Sequence, residues 1–163
     1  MPEKATIERA RQDKSDGNRP TTQAGEFVRE EIHHIREGKH GARSTKQAIA
    51  IGLSKARRAG VELPPPAKGR TTEKTRKSAA SAIRAGRQRR KPARSRSRAT
   101  VRALRRETSR AASREALARQ ARLAARHRGS AARKAAARKA VATKGAAGRS
   151  AAARKAAMTR RAA

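Results

Sequence analysis

Residues 19–60 read RPTTQAGEFVREEIHHIREGKHGARSTKQAIAIGLSKARRAG, and this stretch alone combines apolar residues at helical spacing with side chains suited to start and stop helices. Ala24, Phe27, Val28, Ile32 and Ile35 recur at intervals of three and four, which makes one apolar stripe with Glu31 toward its edge. Thr21 or Thr22 can accept the free N–H groups of a first turn, Glu26 suits the positive end of the helix dipole, and Gly38 is placed to end the helix. The spacing predicts a helix over about 22–37.

After the basic link 39–43, Ser44-Thr45-Lys46-Gln47 has the order of a capping box, with Ser44 as cap and Gln47 reaching back. Ala48, Ile49, Gly52, Leu53 and Ala56 supply a packing face, and Gly60 is a stop, so a second helix is expected over about 44–59. Two amphipathic helices joined by so short a link fold back on each other. The expectation is an antiparallel hairpin within residues 20–63, with Phe27, Val28, Ile32 and Ile35 against Ile49, Leu53 and Ala56, and with Val61 and Leu63 over the open end. Roughly seven large apolar side chains make a marginal core, for which homodimerisation is one remedy.

Outward from the hairpin the composition changes. Residues 1–19 alternate charges and end in turn formers, which reads as a flexible lead. Residues 64–69 open with three prolines and read as a linker that no helix continues through. Residues 1–69 carry 14 basic and 9 acidic side chains, whereas 70–163 carry 31 basic and 3 acidic. The second part is low in complexity, with Gly86 and Pro92 expected to interrupt helix, and a helix over about 100–127 is expected to form more readily when phosphates neutralise its arginines. Residues 130–154 hold a degenerate pentad repeat anchored by Lys134, Lys139, Lys144, Arg149 and Arg154. Five residues advance about 140° around a helix, so these charges spiral and leave no broad apolar face for a membrane surface. The fold class expected is mainly α, a small antiparallel helical hairpin followed by a long basic, largely disordered tail with conditional helices.

Composition narrows the function. A formal net charge of +33 on 163 residues, with a single aromatic residue, calls for a polyanion. No cysteine is present, which removes disulfides and thiolate metal sites and fits a reducing compartment. No apolar run of about 15 to 20 residues exists, so neither a signal peptide nor a transmembrane segment is expected. A bacterial cytoplasm with its nucleoid is the simplest setting, although a eukaryotic nucleus would suit runs such as Arg87-Gln88-Arg89-Arg90-Lys91.

The residues expected to meet nucleic acid fall in four groups. Lys39, His40, Arg43 and Lys46 surround a helix start that can receive a phosphate. Arg57 and Arg58 extend the charge, Arg87, Arg89, Arg90 and Lys91 form a basic run, and Arg133, Lys134, Arg138, Lys139, Lys144, Arg149, Arg154 and Lys155 mark the pentads. No catalytic residue, cofactor site or metal site is expected. His33, His34 and His40 lack cysteine partners and have only solvent-edge glutamates such as Glu30 and Glu37 beside them, and no serine sits in a nucleophile elbow.

The segment TTQAGEFVREEIHHIREGKHGARSTKQAIAIGLSKARRAGVELPPP, residues 21–66, resembles the characteristic block of a family of small basic bacterial proteins of unassigned function, some labelled plasmid stabilisation protein. The resemblance is strongest over REGKHGARSTKQA, residues 36–48, and it implies a DNA-associated role without catalytic residues. The alanine, lysine and arginine tail resembles linker-histone-like bacterial tails. The expected function is therefore non-enzymatic binding of DNA, without strong sequence preference, through phosphate contacts in a nucleoid- or plasmid-associated setting. The alternatives are a protein-interaction or antitoxin-like helical module with a solubilising basic tail, and an RNA-binding protein.

Overall fold

A computed structural model describes residues 2–90 and 92–161, and along the last helix the side chains other than those of 143, 144, 149, 152, 155, 156 and 159–161. The described residues are mainly helical and contain no strand: α1 Lys4–Ser15, α2 Pro20–Arg36, α3 Thr45–Arg58, α4 Glu73–Arg87, α5 Arg94–Arg105, a 3-10 turn Ser109–Ala112, α6 Arg114–His127 and α7 Gly129–Arg161. The chain divides into two compact units, Met1–Ala118 and Arg119–Ala163. No described helix is long and apolar enough to cross a membrane.

The expected disordered tail is overturned. Helices α4 to α7 occupy most of residues 73–161, and α4 and the 3-10 turn pack on the hairpin. Alanine is the physical reason. It has the best helix propensity of any residue, and its small side chain lets helices approach closely enough to bury apolar surface without large side chains. One core cluster joins Ile32, Ile35, Ala42 and Ala48 to Ala111 and Ala112, with Val28 and Leu117 packed against it. The second joins Phe27, Ala24 and Ala56 to Ala10 and Leu63, flanked by Ile7, Leu53 and Val61. Alanine therefore supplies core that the large side chains alone do not.

The termini of α2 and α3 explain where the hairpin bends. Gly38 has φ +72°, and the bonds from Lys39 N–H to the His34 carbonyl (3.0 Å) and from Gly38 N–H to the Ile35 carbonyl (3.2 Å) close a Schellman motif. Ser44 Oγ accepts from Gln47 N–H at the start of α3, while Gln47 Oε1 accepts from Arg43 N–H, one residue before the partner that a strict capping box would use. Ile35 shares a cluster with Ala48, and Phe27 with Ala56, so α2 and α3 run antiparallel. Gly52 sets their separation: a Cβ there would stand 2.7 Å from Val28 Cα.

Three more segments lie against this pair. The lead forms α1, whose Thr6 and Ala10 are buried and whose Arg9 Nε donates to Glu26 Oε2 at 2.6 Å. Gly86, expected to break a helix, lies inside α4, where a Cβ would collide with the Arg57 carbonyl of α3. It is a site of close packing. Residues 104–112 are tied to the link between α2 and α3 by bonds from Gly41 N–H to the Leu104 carbonyl (2.9 Å), from Ala42 N–H to Thr108 (3.1 Å) and from Thr45 Oγ1 to Ala111 (2.7 Å). Arg36 Nε adds a bond to the Ala112 carbonyl at 2.9 Å.

The second unit is held differently. None of the described residues from 119 to 161 is buried, and Leu123, Val141 and Met158 are exposed. Its helices rest on alanine and arginine propensity, and α7 is interrupted at Gly145, whose φ of 62° and ψ of −179° lie where a side chain is strongly penalised.

Candidate nucleic-acid interface

Helix α5, RSRSRATVRALR, has no acidic residue. Arg94, Arg98, Arg102 and Arg105 follow one another at intervals of four, four and three, so they share one face along about 16 Å of helix. All four are exposed, and Leu104 is the one buried residue of the helix. A shallow groove is lined by Arg98, Arg102, Arg105 and Arg106 with Ser97 and Val101. A second groove, at the start of α5, brings Arg58 of α3 together with Arg90 and Arg96 beside Ser81, Ala85, Pro92 and Ala93. The first turn of α5 has no side-chain cap, so its N–H groups and the positive end of its dipole add to the local field. Such an arrangement can neutralise several phosphates at once.

The expected contact residues divide sharply in this structure. Arg43, Lys46, Arg58, Arg87, Arg89 and Arg90 are exposed, and Arg58 and Arg90 share the groove just described. Lys39 is exposed but engaged by Glu37 at 3.0 Å and Glu3 at 3.4 Å, which hold its ammonium above the ordinary lysine value. Arg57 is turned inward: it is 7% exposed, and its guanidinium donates to the Leu63 and Pro64 carbonyls at 3.1 Å each. Burial lowers its pKa, and its work is to fasten the proline stretch to α3. Arg133, Lys134, Arg138, Lys139 and Arg154 stand exposed on α7, with Arg133 also donating to the Ala125 carbonyl at 3.1 Å. Lys91 and the side chains of Lys144, Arg149 and Lys155 lie outside the described residues.

His40 belongs to another cluster. Glu30 and Glu31, expected at a solvent edge or near it, are 4% and 0% exposed, and Lys55 Nζ reaches both, at 3.1 Å from Glu30 Oε1 and 2.7 Å from Glu31 Oε2. Burial pushes the Glu30 carboxyl up, but hydrogen bonds from Glu3 N–H, Lys55 and Thr6 outweigh it and leave Glu30 below its ordinary value. His34 Nε2 meets Glu3 Oε1 at 2.8 Å, a bond that with Lys39 holds the Glu3 carboxyl low. His40 Nε2 lies 3.5 Å from Glu31 Oε1.

Residues 14–68 match the model of a family of unknown function, DUF6496. That segment is about a third of the chain and contains α2, α3 and the buried charge cluster, while the arginine face of α5 lies outside it. No curated protein and no solved structure matches.

Two features went unread in the sequence. The α5 stripe is visible as arginine at spacings of four, four and three, but it straddles the start of the helix expected over about 100–127. The buried cluster was visible as Glu31 lying on the apolar stripe of α2, three residues before His34, a spacing that puts both on one helix face.

Proposed function

We propose that this chain is a non-enzymatic nucleic-acid-binding protein that holds DNA through phosphate contacts without strong sequence preference. The observation that carries the reading is the exposed face of Arg94, Arg98, Arg102 and Arg105 on α5, with Arg58, Arg90 and Arg96 gathered in a separate groove by the start of that helix. Arginine presents donors in a planar fork suited to phosphate oxygens, and contacts of this kind carry affinity but no base information. The exposed cations Arg133, Lys134 and Arg138 of α7 suit many near-equivalent phosphate contacts. The resemblance of residues 21–66 to proteins labelled plasmid stabilisation protein, and of the tail to linker-histone-like tails, is consonant with a nucleoid- or plasmid-associated role. The same phosphate chemistry serves RNA, so single-stranded RNA belongs in the test.

The test compares the full chain with the variant Arg98→Gln, Arg102→Gln, Arg105→Gln, using fluorescence anisotropy of a labelled duplex and a labelled single-stranded RNA at about 50 mM salt. The variant loses duplex affinity by roughly tenfold for each phosphate contact removed, with its helical circular dichroism unchanged. Unchanged duplex affinity refutes the assignment of α5, and a preference for RNA in the wild type refutes the choice of DNA.

A further inference from the structure

We propose that Glu31, His34 and His40 form a binding site for a divalent first-row transition metal ion, of which Zn²⁺ is the natural probe. Three observations converge on it. The first is placement: one ligand atom from each residue lies within 4.8 Å of the others, and the two imidazoles stand edge to face with centroids 6.2 Å apart. The 3.5 Å between His40 Nε2 and Glu31 Oε1 is close to the edge of about 3.3 to 3.4 Å spanned by two atoms bound tetrahedrally to one zinc ion.

The second is an unmet carboxylate. Glu31 is fully buried, and neither of its oxygens receives a hydrogen bond; Lys55 Nζ touches Oε2 as a charge contact whose angle makes no hydrogen bond, and Oε1 is left facing His40. Buried Glu30 and Glu31 share one lysine, Lys55, and His34 Nδ1 lies 3.9 Å from Glu30 Oε1. A buried carboxylate oxygen without a hydrogen bond is expensive, and a cation at Oε1 supplies its partner.

The third is the orientation of the imidazoles. His40 Nδ1 lies 3.1 Å from the Gly41 carbonyl, and His34 Nε2 lies 2.8 Å from Glu3 Oε1. Each of those acceptors takes an N–H, which leaves the opposite nitrogen of each neutral ring with a lone pair: Nε2 of His40 and Nδ1 of His34. Metal-bound histidines are oriented by this kind of outer hydrogen bond to a carboxylate or backbone carbonyl. The set of one carboxylate and two imidazoles suits zinc or ferrous iron and leaves a coordination position for another ligand.

The experiment is calorimetric titration of the chelator-treated full chain with Zn²⁺, repeated with Co²⁺ while recording its visible absorption. The wild type takes up one equivalent, melts at a higher temperature with Zn²⁺, and gives the intense Co²⁺ bands of a low-coordinate site. His40→Ala abolishes that equivalent, Glu3→Gln weakens it by about 10- to 100-fold, and His33→Ala, which alters an exposed neighbour, leaves it intact. Absence of an equimolar site in the folded wild type overturns the proposal. Uptake that survives His40→Ala, or that is lost equally with His33→Ala, also overturns it.

Discussion

The hairpin of α2 and α3 and the long helix α7 use charge in opposite ways. Between α2 and α3 charges are enclosed: Glu30, Glu31 and Lys55 meet in a shared cluster, and Arg57 is bound by carbonyls. Along α7 the described cations stand in solvent on a helix with no core beneath it. A buried charge must have a partner in place and therefore fixes structure, whereas an exposed charge can exchange its contacts for a ligand at little cost. Net charge alone does not distinguish the two uses. Burial does, and it removes His40 and Arg57 from the surface on which nucleic acid is expected.

The comparison can be broken most forcefully inside the hairpin. Lys55→Ala leaves Glu30 and Glu31 buried without their shared cation and is expected to destabilise by about 3 to 5 kcal/mol, measured by urea denaturation. Phe27→Ala, which empties a position that is 1% exposed, should fall in the same range of about 3 to 5 kcal/mol. Loss of less than about 1 kcal/mol in both would contradict the packing described.

Gly52→Ala is a smaller perturbation of the same seam. The added methyl must push against the Val28 backbone, at an expected cost of about 1 to 3 kcal/mol, although alanine favours helix where space is free. A stabilising effect in thermal melts would show that α2 and α3 are farther apart than described.

Acid should act on the hairpin through Glu30. Its folded pKa lies below the ordinary 4.5, so the unfolded chain binds more protons as pH falls. The stability Glu30 contributes is present above about pH 4.5 and is lost as pH drops through the folded value. The melting temperature should decline across that window, with a shallower slope in Glu30→Gln; identical slopes would contradict the cause assigned.

The smallest effect on stability belongs to α7. Arg138→Gln should change stability by no more than about 0.5 kcal/mol, while reducing the steepness of the salt dependence of DNA binding by about 0.9 if that residue contacts a phosphate. A large loss of stability would mean that α7 contributes packing absent from its described surface.

How much of this was legible in the sequence follows the same division. The stop at Gly38 and the start at Ser44 were readable because a cap is decided by a few adjacent residues. Leu63 and Val61 over the hairpin end were readable because no other apolar residues lay near. The role of Ala111 and Ala112 was not, since alanine looks alike in a solvated helix and in a close helix contact. Glu31 was misread as an edge residue because its partners, Lys55 and His40, come from the next helix and from the link before it. The inward turn of Arg57 depends on the carbonyls of Leu63 and Pro64, which the chain brings back only after the turn at Gly60.

The most direct measurement is the affinity of the full chain for two duplexes of unrelated sequence between about 50 and 200 mM salt. Phosphate neutralisation by the arginine surface predicts that log affinity falls linearly and steeply with log salt, with the same slope and nearly the same affinity for both duplexes. An affinity that hardly changes with salt, or one confined to a single duplex, would contradict the account.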